Sequence, residues 1–97
     1  MLTRKHDDFL VDSLKDPKAV TAYLNASLEE AFEDGDYRLF LLALRDVAVA
    51  RGMRQIASKA KLNRENLYRM LSDNGNPEFS SLWALLKTMG VKLSVAA

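Results

Sequence analysis

At 97 residues the chain has room for one small domain and no second core. Its 48% apolar and 28% charged content is that of an ordinary folding protein, far from a disordered chain, and the absence of cysteine excludes disulfide staples and thiolate metal sites. The net charge of +1 hides an asymmetry: residues 1–50 carry six Lys/Arg against ten Asp/Glu, and residues 51–97 carry eight against three, so the halves sum to −4 and +5.

The apolar patch Phe9, Leu10 and Leu14 predicts a helical turn or a loose arm. Asp16-Pro17 then supplies a helix start, an acceptor for orphan amides followed by a ring whose fixed φ suits the first helical position. From there Val20, Tyr23, Leu24, Ser27, Leu28, Ala31 and Phe32 recur at three- and four-residue intervals, predicting an amphipathic helix that ends near Asp34-Gly35. Asp36 is placed to cap a second helix, apolar around more than half its circumference (Tyr37, Phe40, Leu41, Ala43, Leu44, Val47, Ala48) and therefore central. Gly52 stops it and can cap a short helix over residues 53–60, with Gln55 placed to return a bond. Lys61-Leu62-Asn63 is a three-residue break, and Asn63 is suited to cap a fresh helix from Arg64 to about Ser72. The turn formers of 73–77 lead to a helix over residues 79–89, with Phe79, Leu82, Trp83, Leu86 and Met89 on one side and Trp83 expected in the core. Finally, Val91-Lys92-Leu93-Ser94-Val95 alternates as a half-buried strand does, and a strand needs a partner.

Residues 52–71 follow a helix-turn-helix pattern: Ile56 and Ala57 inward, Leu62 plugging the turn, and Leu67 with Met70 or Leu71 packing from the second helix. That second helix offers Arg64, Glu65, Asn66, Tyr68, Arg69 and Ser72, a set rich in groups able to read base edges in a major groove. Six bases and one acid fall between Arg51 and Arg69, an electrostatic footprint for DNA; Tyr68 is equally suited to a phosphate contact or to partial burial beside Leu67. Glu29, Glu30, Glu33 and Asp34 crowd the C-terminal end of the first long helix, where the macrodipole disfavours them by about 0.3–1 kcal/mol each. A basic protein partner is one explanation and a solubilising surface the other. His6 is a lone histidine with no ligand set around it, and no catalytic constellation, phosphate loop or metal spacing occurs, so neither an enzyme nor a cofactor is expected. The longest apolar run, residues 39–44, is far below the roughly 18 residues of a membrane span, and Met1–Asp8 has no signal-like stretch; the reading is cytoplasmic.

Asp16-Pro17, Ala22-Tyr23-Leu24-Asn25, Arg51-Gly52-Met53, Leu67-Tyr68, Gly75-Asn76-Pro77-Glu78-Phe79 and Gly90-Val91-Lys92-Leu93-Ser94-Val95 occur in this order. Together, from Asp16 to Val95, they resemble the lambda-repressor-like (Xre/Cro-type) helix-turn-helix proteins, and more narrowly the addiction module antidotes related to the HigA antitoxins. The resemblance implies an all-α helix-turn-helix bundle: an N-terminal helical extension (1–35), with its acidic end the candidate toxin-binding region, then a DNA-binding part (36–97) ending in a short β-strand, all in a single compact domain. It implies a type II antitoxin that neutralises a RelE/ParE-like toxin and represses its own operon on double-stranded operator DNA. Arg64, Glu65, Asn66 and Arg69 match the groove-facing positions, and Arg54, Gln55, Lys59 and Asn63 the phosphate-facing ones. One departure is Lys61, where the family's turn often has glycine: it must take a left-handed conformation, at roughly 1–2 kcal/mol, or sit in a different turn. A homodimer is expected, since one such motif reads too few base pairs. The competing readings are a prophage-type repressor without a toxin and a helical protein-interaction module whose basic face binds acidic protein.

Overall fold

The computed structural model describes Leu10 and residues 12–97, and among them every regular element is a helix: α1 (Pro17–Asp34), α2 (Arg38–Arg51), α3 (Met53–Lys59), α4 (Arg64–Met70) and α5 (Phe79–Met89). Phe9 and His6 lie outside the described residues. Leu14 closes a helical turn onto the Leu10 carbonyl and is buried in the core.

Each helix start follows from local chemistry. The Asp16 carboxylate accepts the Lys18 amide ahead of Pro17, as the sequence predicts. The Asp36 carboxylate likewise accepts the Arg38 amide, although the cap position of α2 is Tyr37, half-exposed and not part of the apolar face expected of it. Asn63 caps α4 by accepting the Asn66 amide at 3.0 Å. Gly52 joins α2 to α3 and no side chain caps that junction; Gln55 is exposed there.

Helix α2 is the centre of the bundle: Phe40, Leu41, Ala43, Leu44, Val47 and Ala48 are all buried. Both α1 and α3 pack on it, and α3 in turn touches both α4 and α5. Arg51 is tied into this packing, donating a guanidinium hydrogen bond to the Met89 carbonyl and so finishing the exposed end of α5.

Three further expectations are corrected. The first is the C-terminal strand: residues 91–97 have no regular structure and no strand occurs among the described residues, because no neighbouring backbone is presented to pair with them. The second is α5, which buries Leu85, Leu86 and Met89 and leaves Phe79 and Trp83 67% and 56% exposed, so its core stripe is rotated relative to the expected one. The third is Phe32, which lies 81% exposed beyond the face formed by Val20, Leu24 and Ala31.

Candidate functional site

The connection between α3 and α4 sets the most distinctive geometry in the molecule. Lys61 adopts φ 58°, the left-handed conformation that the sequence posed as one of two possibilities. Its amide bonds to the Ser58 carbonyl and the next amide, of Leu62, reaches back to Ala57 at 2.8 Å. These two bonds form a Schellman closure, which consumes orphan carbonyls of α3 and reverses the chain. Leu62 packs half-buried against the core beneath the turn, Ala57 is small and buried, and Leu67 and Leu71 are fully enclosed, fixing α4 against α3.

That packing leaves the other face of the pair open. Arg54, Gln55, Lys59, Asn63, Arg64, Glu65, Asn66, Tyr68 and Arg69 are all exposed, so the fold brings every one of the expected DNA-facing side chains to the surface of two adjacent helices. The Asn63 side chain spends one acceptor on its own helix. Tyr68 is 39% exposed, and the Arg45 guanidinium of α2 sits 5.6 Å from its ring centroid, a cation–π contact that adds a base from the acidic half of the chain to this face. Arg51 belongs to the bundle instead, half-buried on the Met89 carbonyl.

A groove of about 390 Å³ runs beside α4, with Asn66 and Arg69 on one wall and Asn74 and Asn76 on the other. The second wall is held in place by Gly75, where a Cβ would lie 2.1 Å from the Met70 carbonyl oxygen, so only glycine admits this approach. The Tyr37 hydroxyl reaches the Gly75 carbonyl at 3.5 Å and links the wall to the α1–α2 corner.

At that corner α1 ends in Glu29, Glu30, Glu33 and Asp34, all exposed, with no basic residue in the last turn and no ion pair to any of the four among the described residues. Phe32 stands exposed in their midst. The next carboxylate, Asp36, is engaged: the Arg38 guanidinium binds it at 2.8 and 3.0 Å and holds its carboxyl below the usual carboxylate range. Among the described residues no group of His, Cys, Asp and Glu could hold a metal ion, and no helix is long and apolar enough to cross a membrane.

The family described as "Probable addiction module antidote protein" matches residues 5–97 of the chain. The chain belongs to the addiction module antidote family. It is also 36% identical over 95 residues to an "Uncharacterized protein" of Haemophilus influenzae, covering 97% of this chain and 94% of that one. No solved structure matches it. An antidote implies a toxin to be neutralised, so a toxin partner follows in general terms for this antidote-family chain.

Several residues of these surfaces were not singled out by the sequence. Asn74 and Asn76 read only as turn formers, and nothing local says which groove a turn will line. Arg45 belongs by position to the acidic half. Phe32 lies at the edge of the predicted apolar face, about 100° round the helix from its neighbour Ala31, which is buried while Phe32 is exposed.

Proposed function

We propose that this antidote-family protein is the antitoxin and autorepressor of a type II toxin–antitoxin pair, built as a lambda-repressor-like helix-turn-helix protein. In this reading it is a cytoplasmic homodimer and not an enzyme. Helix α4 enters the major groove of operator DNA with Arg64, Glu65, Asn66 and Arg69 toward base edges, while Arg54, Gln55, Lys59 and Asn63 position the phosphate backbone. Tyr68, fixed by Arg45, lies at the edge of the same footprint. The observation that supports the DNA half is that all of these side chains are exposed on two adjacent short helices and the turn between them, with one acid, Glu65, among them.

The toxin half rests on family membership and on charge. A RelE/ParE-like toxin that acts on anionic RNA would be basic, and the carboxylates Glu29, Glu30, Glu33 and Asp34, in no ion pair among the described residues, offer it complementary charge. The exposed Phe32 ring supplies an apolar anchor among them.

The test is to express the product of the adjoining open reading frame alone and together with this chain. Growth arrest relieved by co-expression, with the two proteins co-purifying, is the expected result. A harmless neighbour that does not co-purify would leave a plain repressor in its place.

A further inference from the structure

The last residues of the chain carry a pattern that neither surface described above uses. Gly90 takes a left-handed conformation (φ 71°) that closes α5, and the Val91 amide turns back to the Leu86 carbonyl. Beyond that bond no backbone–backbone hydrogen bond reaches residues 92–97 among the described residues, and Lys92, Leu93, Ser94 and Val95 are all exposed. Residues 91–95 nevertheless alternate apolar and polar, the pattern of a chain whose backbone pairs with another.

We propose that residues 91–95 pair antiparallel with the same residues of a second copy of the chain, about a two-fold axis between the two Leu93 residues. The segment, irregular in the single chain, becomes one strand of an intermolecular two-stranded ribbon. The proposal deepens the homodimer reading above by giving the dimer its contact, and it rests on that reading.

The order of the residues selects a second copy and sets the register. Val91-Lys92-Leu93-Ser94-Val95 reads apolar, polar, apolar, polar, apolar from either end, so it is complementary to itself run backwards, as an isologous contact requires. With Leu93 opposite Leu93, Val91 meets Val95 and Lys92 meets Ser94; the three apolar residues of each copy share one face, and no lysine stands opposite a lysine. Centring the pair on Lys92 instead sets the two ammonium groups against each other, which cross-strand pairing disfavours. A two-stranded ribbon is marginal by itself and needs a surface to lie on. A cleft of about 490 Å³ adjoins the segment, lined by Trp83, Leu86, Lys87, Val91, Lys92 and Leu93, with Trp83 and Leu86 of α5 supplying its apolar wall.

The edge of a toxin's sheet is the other source of a backbone partner, and charge disfavours it. Residues 79–97 hold Lys87 and Lys92 and no acid, so a basic toxin is repelled at this end of the molecule and drawn to the carboxylates of α1.

The chain has no cysteine, so single introduced cysteines report the pairing directly. Residues opposite each other in an antiparallel pair have Cα atoms about 4.5–5.5 Å apart, within disulfide reach, whereas diagonal neighbours stand about 7–8 Å apart, outside it. Under mild oxidation of the full chain, Leu93→Cys should therefore crosslink to a dimer about tenfold faster or more than Lys92→Cys or Ser94→Cys, and a mixture of the last two should crosslink to each other in preference to themselves. Sedimentation velocity of the cysteine-free chain should show a dimer, and Leu93→Pro should weaken it about tenfold or more, since proline removes a ladder amide. The helical circular dichroism of that variant should be unchanged, because Leu93 lies outside every helix. A wild-type chain that stays monomeric at every concentration overturns both this pairing and the homodimer reading. A dimer in which the three single cysteines crosslink alike, or Ser94→Cys fastest, leaves the homodimer standing and overturns the pairing. Leu93→Pro that abolishes co-purification with the toxin while the dimer persists gives the segment to the toxin and overturns it likewise.

Discussion

The phenol of Tyr23 on α1 donates its hydrogen bond to the carboxylate of Asp46 on α2, across 23 residues of chain, and it is the side-chain bond that joins these two long helices. Burial raises the Tyr23 pKa above its ordinary 10.0, and the bond to Asp46 and its negative charge push in the same direction. The pair positions α1, and with it the acidic end proposed above to meet the toxin.

Tyr23→Phe should therefore cost about 1 kcal/mol, because it leaves the partly buried Asp46 carboxylate without this donor. The sign of the pH dependence follows from the raised pKa: the fold favours the protonated phenol, so its contribution is complete below about pH 10 and is lost as pH rises beyond that. Urea titrations at neutral and alkaline pH should show the deficit of the variant at neutral pH shrinking above pH ~10.

Lys61 holds φ 58° in the turn between α3 and α4. Lys61→Gly should stabilise the protein by roughly 1 kcal/mol, since glycine removes the left-handed strain but adds freedom to the unfolded chain. A higher urea midpoint with an unchanged slope is the expected observation; a lower midpoint would mean that the lysine stem contributes packing that outweighs the strain.

Gly75→Ala should do the opposite. Its methyl would stand 2.1 Å from the Met70 carbonyl oxygen, a backbone atom that cannot swing aside, and the cost should reach about 3 kcal/mol. Operator affinity should fall as well, because the same loop forms the groove wall of Asn74 and Asn76 beside Arg69.

Much of this architecture is legible in the sequence wherever a local rule decides it. Asp16-Pro17 and Asn63 cap their helices because capping depends on residues within one turn, and α2 is central because its apolar residues cover most of its circumference. The misreadings arise where distant packing decides. Phe79 and Trp83 are in phase with Leu82 and Leu86, and only the packing of α3 against α5 decides which edge of that broad apolar band is covered. The alternation of 91–95 fits a strand, but a strand exists only with a partner backbone, which the described residues do not provide. Arg51 counted toward the basic footprint until the end of α5 arrived beside it.

The residues proposed to face DNA divide into two groups with different signatures. Arg69→Ala should lose about 1–3 kcal/mol on the operator and relax preference at one base position, whereas Lys59→Ala should weaken all DNA about equally and reduce the salt slope by about one. Fluorescence anisotropy at several salt concentrations separates the two, and affinity that hardly changes with salt would point to an acidic protein as the ligand of this face.

The central proposal is that two separate surfaces of one small bundle serve two partners, the acidic end of α1 for a toxin and the exposed side of α3–α4 for DNA. Growth rescue tests it most directly, in cells expressing the adjoining frame's product together with wild-type chain, Glu29→Lys/Glu33→Lys, or Arg64→Ala/Arg69→Ala, at matched protein levels. The account predicts rescue by the wild type and by the arginine variant, and failure of the glutamate variant. Full rescue by the glutamate variant, or failure of the arginine variant, would contradict it.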